Sequence, residues 1–496
     1  MIRLSIRRLE TLRAVISAMV HPSRRTTSDI SIPCPAGLEY LPYQKACVEY
    51  ALQRRDTLIG DAPGTGKTVE AIAFANKIGP LGHVLIICPG FMKPYWAQEF
   101  KKWSVQSINI QYIKNGKSEF PHDGVVIINY ELLRKFSLPL RTVEWDLMIV
   151  DEAHKLMNSK SDRTREIFGG VKRQVIGTNK TSSTRVSAIP AKRRLFLTGT
   201  PSKNGKPKEM WNMIRQLDPD GLGNNWFAFA TRYCQLLELK KPDPTTGEMK
   251  RFGWKWDGAD NLEELQEIMR ERFMVRRLKS EVMKDLPEKQ RLIVPIEPTG
   301  KVKKLLTEEQ RLFDFYGASR LGHNLYLEMP EFGEFSEKMH EVGLAMVEPS
   351  VEVIESEMEQ NDKIVVMCYH RDVAFQIYQN FVRDAVLING EIPTWDRQTL
   401  VNEFAKSPTC RLLIGTIMSC GEGMDGMQAA QLMIFPERSW VPSDVDQAES
   451  RIHRRGQEGS VVIKHLVYEG SLAERQIQVL LEKQKNFDKM IDDQTI

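Results

Sequence analysis

The chain has 496 residues, too many for one hydrophobic core, so about two to four domains are expected. With 42% hydrophobic and 27% charged residues it has the composition of an ordinary globular protein rather than a disordered one, and no apolar run is long enough for a membrane-spanning helix, so no membrane partner is expected. The net charge of +4 neither demands nor excludes nucleic acid, and the seven scattered cysteines, without a Cys-x-x-Cys pair, argue against a disulfide framework or a zinc site and for a reducing compartment.

Residues 1–37 are rich in arginine, with Arg3, Arg7, Arg8, Arg13, Arg24 and Arg25 among interleaved apolar residues. Three readings stay open for this basic extension: an organelle transit peptide, an arm on DNA, or a partly ordered leader. Pro33, Pro35 and Gly37 mark a boundary, and a helix is expected from about Gln44 to Arg54. Gln44 is placed to hold an adenine by its paired donor and acceptor, or is simply a surface residue.

Thr57 to Ile59 read as a buried strand, and the apolar spacing of Val69, Ile72, Ala73 and Ala75 reads as a helix from about Gly66. Between them lies Asp61-Ala62-Pro63-Gly64-Thr65-Gly66-Lys67-Thr68. Gly64 and Gly66 let the backbone curl so that successive N–H groups face phosphate oxygens at a helix start. Lys67 then reaches the terminal phosphates of ATP, and the Thr68 hydroxyl ligates Mg²⁺. Asp61 stands where the strict pattern has glycine, and a tight structural turn is the bland alternative.

Apolar runs at Val84–Cys88, Val125–Ile128, Leu147–Val150 and Leu195–Leu197 alternate with helical stretches, which predicts a parallel sheet with ligands at the carboxyl ends of its strands. The third run ends in Asp151-Glu152-Ala153-His154: Asp151 would hold the metal and Glu152 would orient and deprotonate water, unless the two acids only cap a helix. The last ends in Thr198-Gly199-Thr200, a candidate γ-phosphate sensor or a turn. Lys155 to Arg194 is strongly basic, and its middle, Gly169 to Ser187, reads as a flexible loop that touches DNA phosphates or is merely solvated.

From Glu209 to about Leu278 the pattern is mostly helical, Leu286-Pro287 reads as a hinge, and residues 301–360 are helical again. A second strand–helix series follows, with strands at Ile364–Cys368, Ala385–Ile388, Leu412–Ile417, Leu432–Phe435 and Val461–Leu466, and no phosphate loop. The expected division is an extension 1–37, a lobe 38–290 with a helical insertion at about 205–280, and a lobe 291–496 with a helical start, the segment 447–457 and a C-terminal helix. In that segment Arg451 and Arg454 are three apart and would share a helix face. Delivered to the γ-phosphate from a separate lobe, they would make hydrolysis depend on closure; surface arginines paired with Glu449 are the alternative.

These pieces, in this order, resemble the superfamily 2 helicase core, and in particular the Swi/Snf group of double-stranded DNA translocases. The residues that carry the likeness are Leu41 to Gln44, Asp61 to Thr68, Cys88-Pro89 with Trp96, Asn129-Tyr130-Glu131, Asp151 to His154, Leu197 to Pro201, Gly421 to Asp425, Trp440-Val441-Pro442 and Gln447 to Gln457. Arg276-Arg277-Leu278-Lys279 and Trp254-Lys255-Trp256-Asp257 are similar to the annealing-helicase branch, enzymes that rewind and remodel forks. The resemblance implies an α/β fold of two tandem RecA-like lobes that uses ATP and Mg²⁺. It adds Gly423 and Asp425 to the nucleotide site, gives Thr198, Gly199, Thr200 and Gln447 a coupling role, and makes Lys93, Asn129, Tyr130, Tyr369, His370, Ser419 and Trp440 candidate DNA contacts, with Trp440 also readable as core. The expected partner is double-stranded or forked DNA without sequence preference, together with proteins bound to it, and the expected state is a monomer. A strand-separating helicase and a remover of DNA-bound proteins stay open as alternatives. The compact core is most similar to bacterial or phage relatives, implying a cytoplasmic protein, or a nuclear one if eukaryotic. Three departures from the group's pattern stand out: Ala62-Pro63 in place of Glu-Met, Ser450 in place of Asp, and Arg455 in place of an aliphatic residue.

Overall fold

Strands β1 (Asp56–Ile59), β2 (His83–Cys88), β4 (Gly124–Asn129) and β5 (Trp145–Asp151) follow the first apolar runs, each extended by one to three residues, while the short β3 (Ile110–Tyr112) was not among the expected strands. A computed structural model describes residues 21–121, 123–159, 161–175, 181–202, 205–242, 249–318, 333–420, 424–437, 439 and 441–473. Gly423, Trp440, the first twenty residues of the extension and the expected C-terminal helix lie outside the described residues.

Next come β6 (Gly170–Val175), β7 (Thr181–Val186), β8 (Ala191–Leu197), β9 (Leu236–Pro242), β10 (Met249–Trp256) and the short β11 (Met274–Val275). One seven-stranded sheet has the order β11-β1-β8-β5-β2-β4-β3, and all its pairs are parallel. This order decides the site. β1, β8 and β5 are neighbours, with Ile59 and Asp151 both in register with Leu197, so the phosphate loop, the Thr198 turn and the acidic pair leave the sheet side by side. Apolar clusters cover both faces, which is why the strands read as continuous apolar runs rather than alternating ones.

A second sheet holds β12 (Lys289–Ile296), β13 (Ile364–Cys368), β14 (Ala385–Ile388), β15 (Leu412–Thr416), β16 (Leu432–Phe435) and β17 (Val461–Tyr468) in the order β12-β17-β16-β13-β15-β14, again all parallel. The fold is therefore α/β with two parallel sheets, as the resemblance implied. β12 escaped the sequence reading because it is an edge strand with Leu292 and Ile293 exposed, so it lacks the unbroken apolar run of a central strand.

Two stretches depart from expectation. Within Gly169 to Ser187 the described residues form strands rather than a flexible loop: β6 and β7 pair antiparallel over six residues, from Gly170–Val186 to Val175–Thr181. The β-branched Val171, Val175, Thr181, Thr184 and Val186 suit paired strands, and the polarity of the residues between them masked the hairpin. The base of the hairpin is tied to the start of β5, where the Trp145 N–H donates to the Pro190 carbonyl, so it stands at the end of the sheet opposite Asp151. The insertion at 205–280 is likewise not helical throughout. Its helices Pro207–Leu217, Trp226–Tyr233 and Leu262–Arg272 are joined by the β9–β10 hairpin, and β11 belongs to the first sheet.

Candidate active site

The phosphate loop curls as its glycines allow. Gly64 and Gly66 have φ of +85° and +90°, a region closed to most side chains, and a Cβ at Gly66 would approach Gln44 Nε2 to 3.0 Å. The loop therefore keeps an open cradle ahead of the helix Lys67–Ile78. Lys67 Nζ donates to the carbonyls of Asp61 (2.8 Å) and Ala62 (3.2 Å). Tyr43 braces the loop from behind, its hydroxyl donating to the Thr65 carbonyl at 2.6 Å.

A cleft opens here, enclosing about 130 Å³. Its first wall is Pro63, Gly64, Gly66, Lys67 and Thr68, with Asp151, Glu152, Gly199 and Thr200 beside them. The opposite wall comes from the second sheet: Asp425, Gln447, Ser450, Arg451 and Arg454. Gln447 Nε2 lies 3.4 Å from Glu152 Oε1, spanning the two walls directly. Arg454 Nη1 donates to the Met424 carbonyl at 3.2 Å and stands 3.5 Å from Asp425. Met92 and Tyr95 also line the cleft; sequence reading missed them, although their place just after β2 was the available signal.

The acidic pair is split electrostatically. Burial, with the Glu152 charge, drives the Asp151 carboxyl up to about 7, against the Trp96 indole N–H that donates to it at 2.9 Å. Burial acts on Glu152 in the same sense, but the His154 hydrogen bond and charge, with Lys67 and Arg451, outweigh it and hold Glu152 well below the usual carboxylate range. Glu152 also has a φ of +52°, a strained conformation for a residue with a side chain, which turns it from the strand end into the cleft. The His154 imidazole lies 3.1 Å from Thr198 Oγ1, which in turn accepts from the Thr200 N–H, so the acidic motif and the Thr198 turn form one network.

Other expected site residues are placed differently. Asp61 is fully buried and faces away from the cleft, where Arg277 pairs with it at 2.5 Å; the missing glycine of the strict pattern is thus a structural anion rather than a phosphate ligand. Gln44 is buried, and its Oε1 accepts from the Leu41 N–H at 3.0 Å, so its side chain caps its own helix. Ala62 and Thr65 are buried behind the loop. Arg451 and Arg454 do not share a helix face, because the helix Pro442–Glu449 ends before them and both stand on the turns that follow. They nevertheless line the cleft together.

Among the candidate DNA contacts, Lys93, Tyr130 and Ser419 are buried. Lys93 Nζ is spent on the Ile113 carbonyl and Asn129 Oδ1, the Tyr130 hydroxyl on the Asp151 carbonyl, and Ser419 Oγ accepts from Thr416. These three therefore support the site from within, because each satisfied buried group would have to be unpaired to reach a phosphate. His370 is bound to Glu437 at 2.5 Å, Asn129 Nδ2 donates to Glu131, and Tyr369 remains 42% exposed at the carboxyl end of β13.

The model of the SNF2-related domain matches residues 43–315. The chain belongs to this family. A helicase conserved C-terminal domain matches residues 347–456 of the same SNF2-related chain. Among curated relatives, the mouse "DNA annealing helicase and endonuclease ZRANB3" is 29% identical over 89% of this chain and 40% of its own length. The Xenopus tropicalis "SWI/SNF-related matrix-associated actin-dependent regulator of chromatin subfamily A-like protein 1" is 27% identical over 90% of this chain and 44% of its own. The SNF2-related chain thus spans less than half the length of these relatives. A solved "Sulfolobus solfataricus SWI2/SNF2 ATPase core in complex with dsDNA" is 21% identical over 95% of this chain and 96% of that one, with a TM-score of 0.41.

One pH response follows from the turn that bears the arginines. Burial, with the charges of Lys279 and Lys289, pushes His453 down to about 4, against the pull of the Pro287 carbonyl it faces. Unfolded, a histidine titrates near about 6.5, so between these values the unfolded chain holds the extra proton and stability falls as pH falls. The stability margin of wild type over His453→Gln, read from thermal melts, is therefore expected to shrink from about pH 7 to pH 4. A margin that widens on acidification would mean the imidazole is charged in the fold.

Proposed function

We propose that this chain is a DNA-dependent ATPase that moves on double-stranded or forked DNA and remodels or anneals it. The observation that carries this is the single cleft with Lys67 and Glu152 on one wall and Arg451 and Arg454 on the other. A fuel site shared between two sheets couples hydrolysis to their relative motion. The SNF2-related family and the annealing helicases among the relatives support the same reading.

In this proposal Lys67 and the loop N–H groups hold the phosphates, and Glu152 orients the attacking water and accepts its proton. Arg454 and Arg451 neutralise charge developing on the γ-phosphate, while Gln447 and the Thr198–Thr200 turn report its presence. The hydroxyl of Thr68 and the carboxylate of Asp151 form an all-oxygen pair lining one cleft, a donor set that suits Mg²⁺, which would screen the phosphate charge. DNA lies across both lobes, held through its phosphates and so without sequence preference, with the exposed Tyr369 as the candidate side chain best placed to meet it. Proteins bound to that DNA are further partners.

Turnover measured on duplex, forked and single-stranded DNA and on RNA tests this. Duplex or fork is expected to stimulate several-fold more than single-stranded RNA. A preference for RNA would overturn the proposal, whereas strand displacement without a rewinding activity would favour the helicase alternative.

A further inference from the structure

The turn that carries Arg451 and Arg454 follows the helix Pro442–Glu449, and its backbone bonds back to that helix, from the Arg451 N–H to the Ala448 carbonyl and from the Ile452 and His453 N–H groups to the Glu449 carbonyl, run as far as His453, the residue before Arg454. Side chains of the connector between the two sheets and of β12 hold it further. Lys279, at the start of the short helix Lys279–Val282, donates from Nζ to the His453 carbonyl at 2.5 Å. The His453 Nε2–H donates to the Pro287 carbonyl at 2.8 Å. Lys289 and Arg291 reach the fully buried Glu449 at 2.7 and 2.6 Å.

The same lysine also lies against the phosphate loop. A Cβ built on Gly64 would stand 3.4 Å from Lys279 Nζ and 3.5 Å from Arg454 Cβ, so loop, connector and arginine turn meet at one point. Burial, together with the like charges of Lys289, Arg454, Lys67 and Arg451, pushes the Lys279 ammonium well below the usual lysine range. An apolar side chain of the same reach would fill this place without that repulsion. What the lysine adds is a donor aimed at a backbone carbonyl next to Arg454.

We propose that Lys279 is a positioning residue for hydrolysis: by holding the His453 carbonyl beside the phosphate loop, it sets the reach of Arg454 into the cleft. This rests on the reading of the cleft as an ATP site. A guanidinium must sit within a fraction of an ångström of its transition-state position, and Lys279 adds a fixed point at the His453 carbonyl, where the turn's own backbone bonds to the helix stop and Arg454 begins.

The test compares Lys279→Met and Lys279→Arg, each in wild-type and Arg454→Ala backgrounds, by single-turnover and steady-state hydrolysis. Amide hydrogen exchange across residues 450–456 is measured on the nucleotide-free proteins. Lys279→Met is expected to lower kcat about 10- to 100-fold with little change in KM. Lys279→Arg recovers most of the loss, and the methionine variant costs almost nothing more once Arg454 is already alanine. Exchange across the turn rises in Lys279→Met. Unchanged exchange, or losses that multiply with Arg454→Ala, would overturn the proposal. A wild-type protein without DNA-stimulated turnover would instead remove the ATPase reading, and the exchange data alone would then decide whether Lys279 holds the turn.

Discussion

Arg454→Ala is expected to bind ATP as wild type does and to lose about 10³- to 10⁵-fold of its DNA-stimulated turnover. The separation of binding from turnover follows from geometry. The phosphate loop, with Lys67 and the N–H groups behind Gly64 and Gly66, belongs wholly to the first sheet and remains intact without Arg454. The arginine reaches the cleft from the second sheet and is anchored by the Met424 carbonyl and Asp425, so it meets the nucleotide only when the two walls approach. An interaction made only in the closed, reacting state affects kcat rather than affinity. Nucleotide affinity by fluorescence titration and turnover on duplex DNA check this, and equal turnover in variant and wild type would refute the finger role.

The second large effect is structural. Arg277 is 1% exposed, and its guanidinium pairs with Asp61 at 2.5 Å and Glu70 at 3.4 Å, both fully buried, while also donating to the Tyr43 carbonyl. Burial and the neighbouring Asp61 charge push Glu70 well above the usual carboxylate range, so the ion pair proper is Arg277 with Asp61. Removing the cation strands Asp61 in the core directly beneath the phosphate loop. Arg277→Ala should therefore destabilise the protein by about 3–5 kcal/mol, read from the denaturant midpoint. Pairing Arg277→Met with Asp61→Asn should cost less than Arg277→Ala alone, because neither charge is then left unpaired. A loss below about 1 kcal/mol for the single variant would show that water already reaches the pair.

These two arginines mark what a sequence can and cannot show. Arg454 was legible from its place in a family-like motif within the second strand–helix series, although the helix face inferred from its spacing to Arg451 is not formed. Arg277 stood in a motif similar to the annealing-helicase branch, but nothing local named its partners: Asp61 and Glu70 lie more than 200 residues away, and Asp61 itself looked like an irregular member of the phosphate loop. Lys93 and Tyr130 erred in the same way. A lysine and a tyrosine near strand ends suit DNA phosphates by residue type, yet in the fold they satisfy carbonyls of neighbouring segments. The β6–β7 hairpin was hidden by polarity, because its segments lack the regular apolar alternation by which a half-buried strand is read from sequence.

The sequence by itself determined the phosphate cradle, the acidic pair, the two series of buried strands and the arginines that answer them. Each depends on residues close together in the chain, where backbone geometry leaves few choices. Tertiary structure alone decided the order β1-β8-β5 that sets these motifs side by side, the inward turn of Asp61 onto Arg277, and the grip of Lys279 on the arginine turn. A side chain's direction and partner depend on which distant strands pair and which carbonyls lack donors, and those are properties of the packed whole.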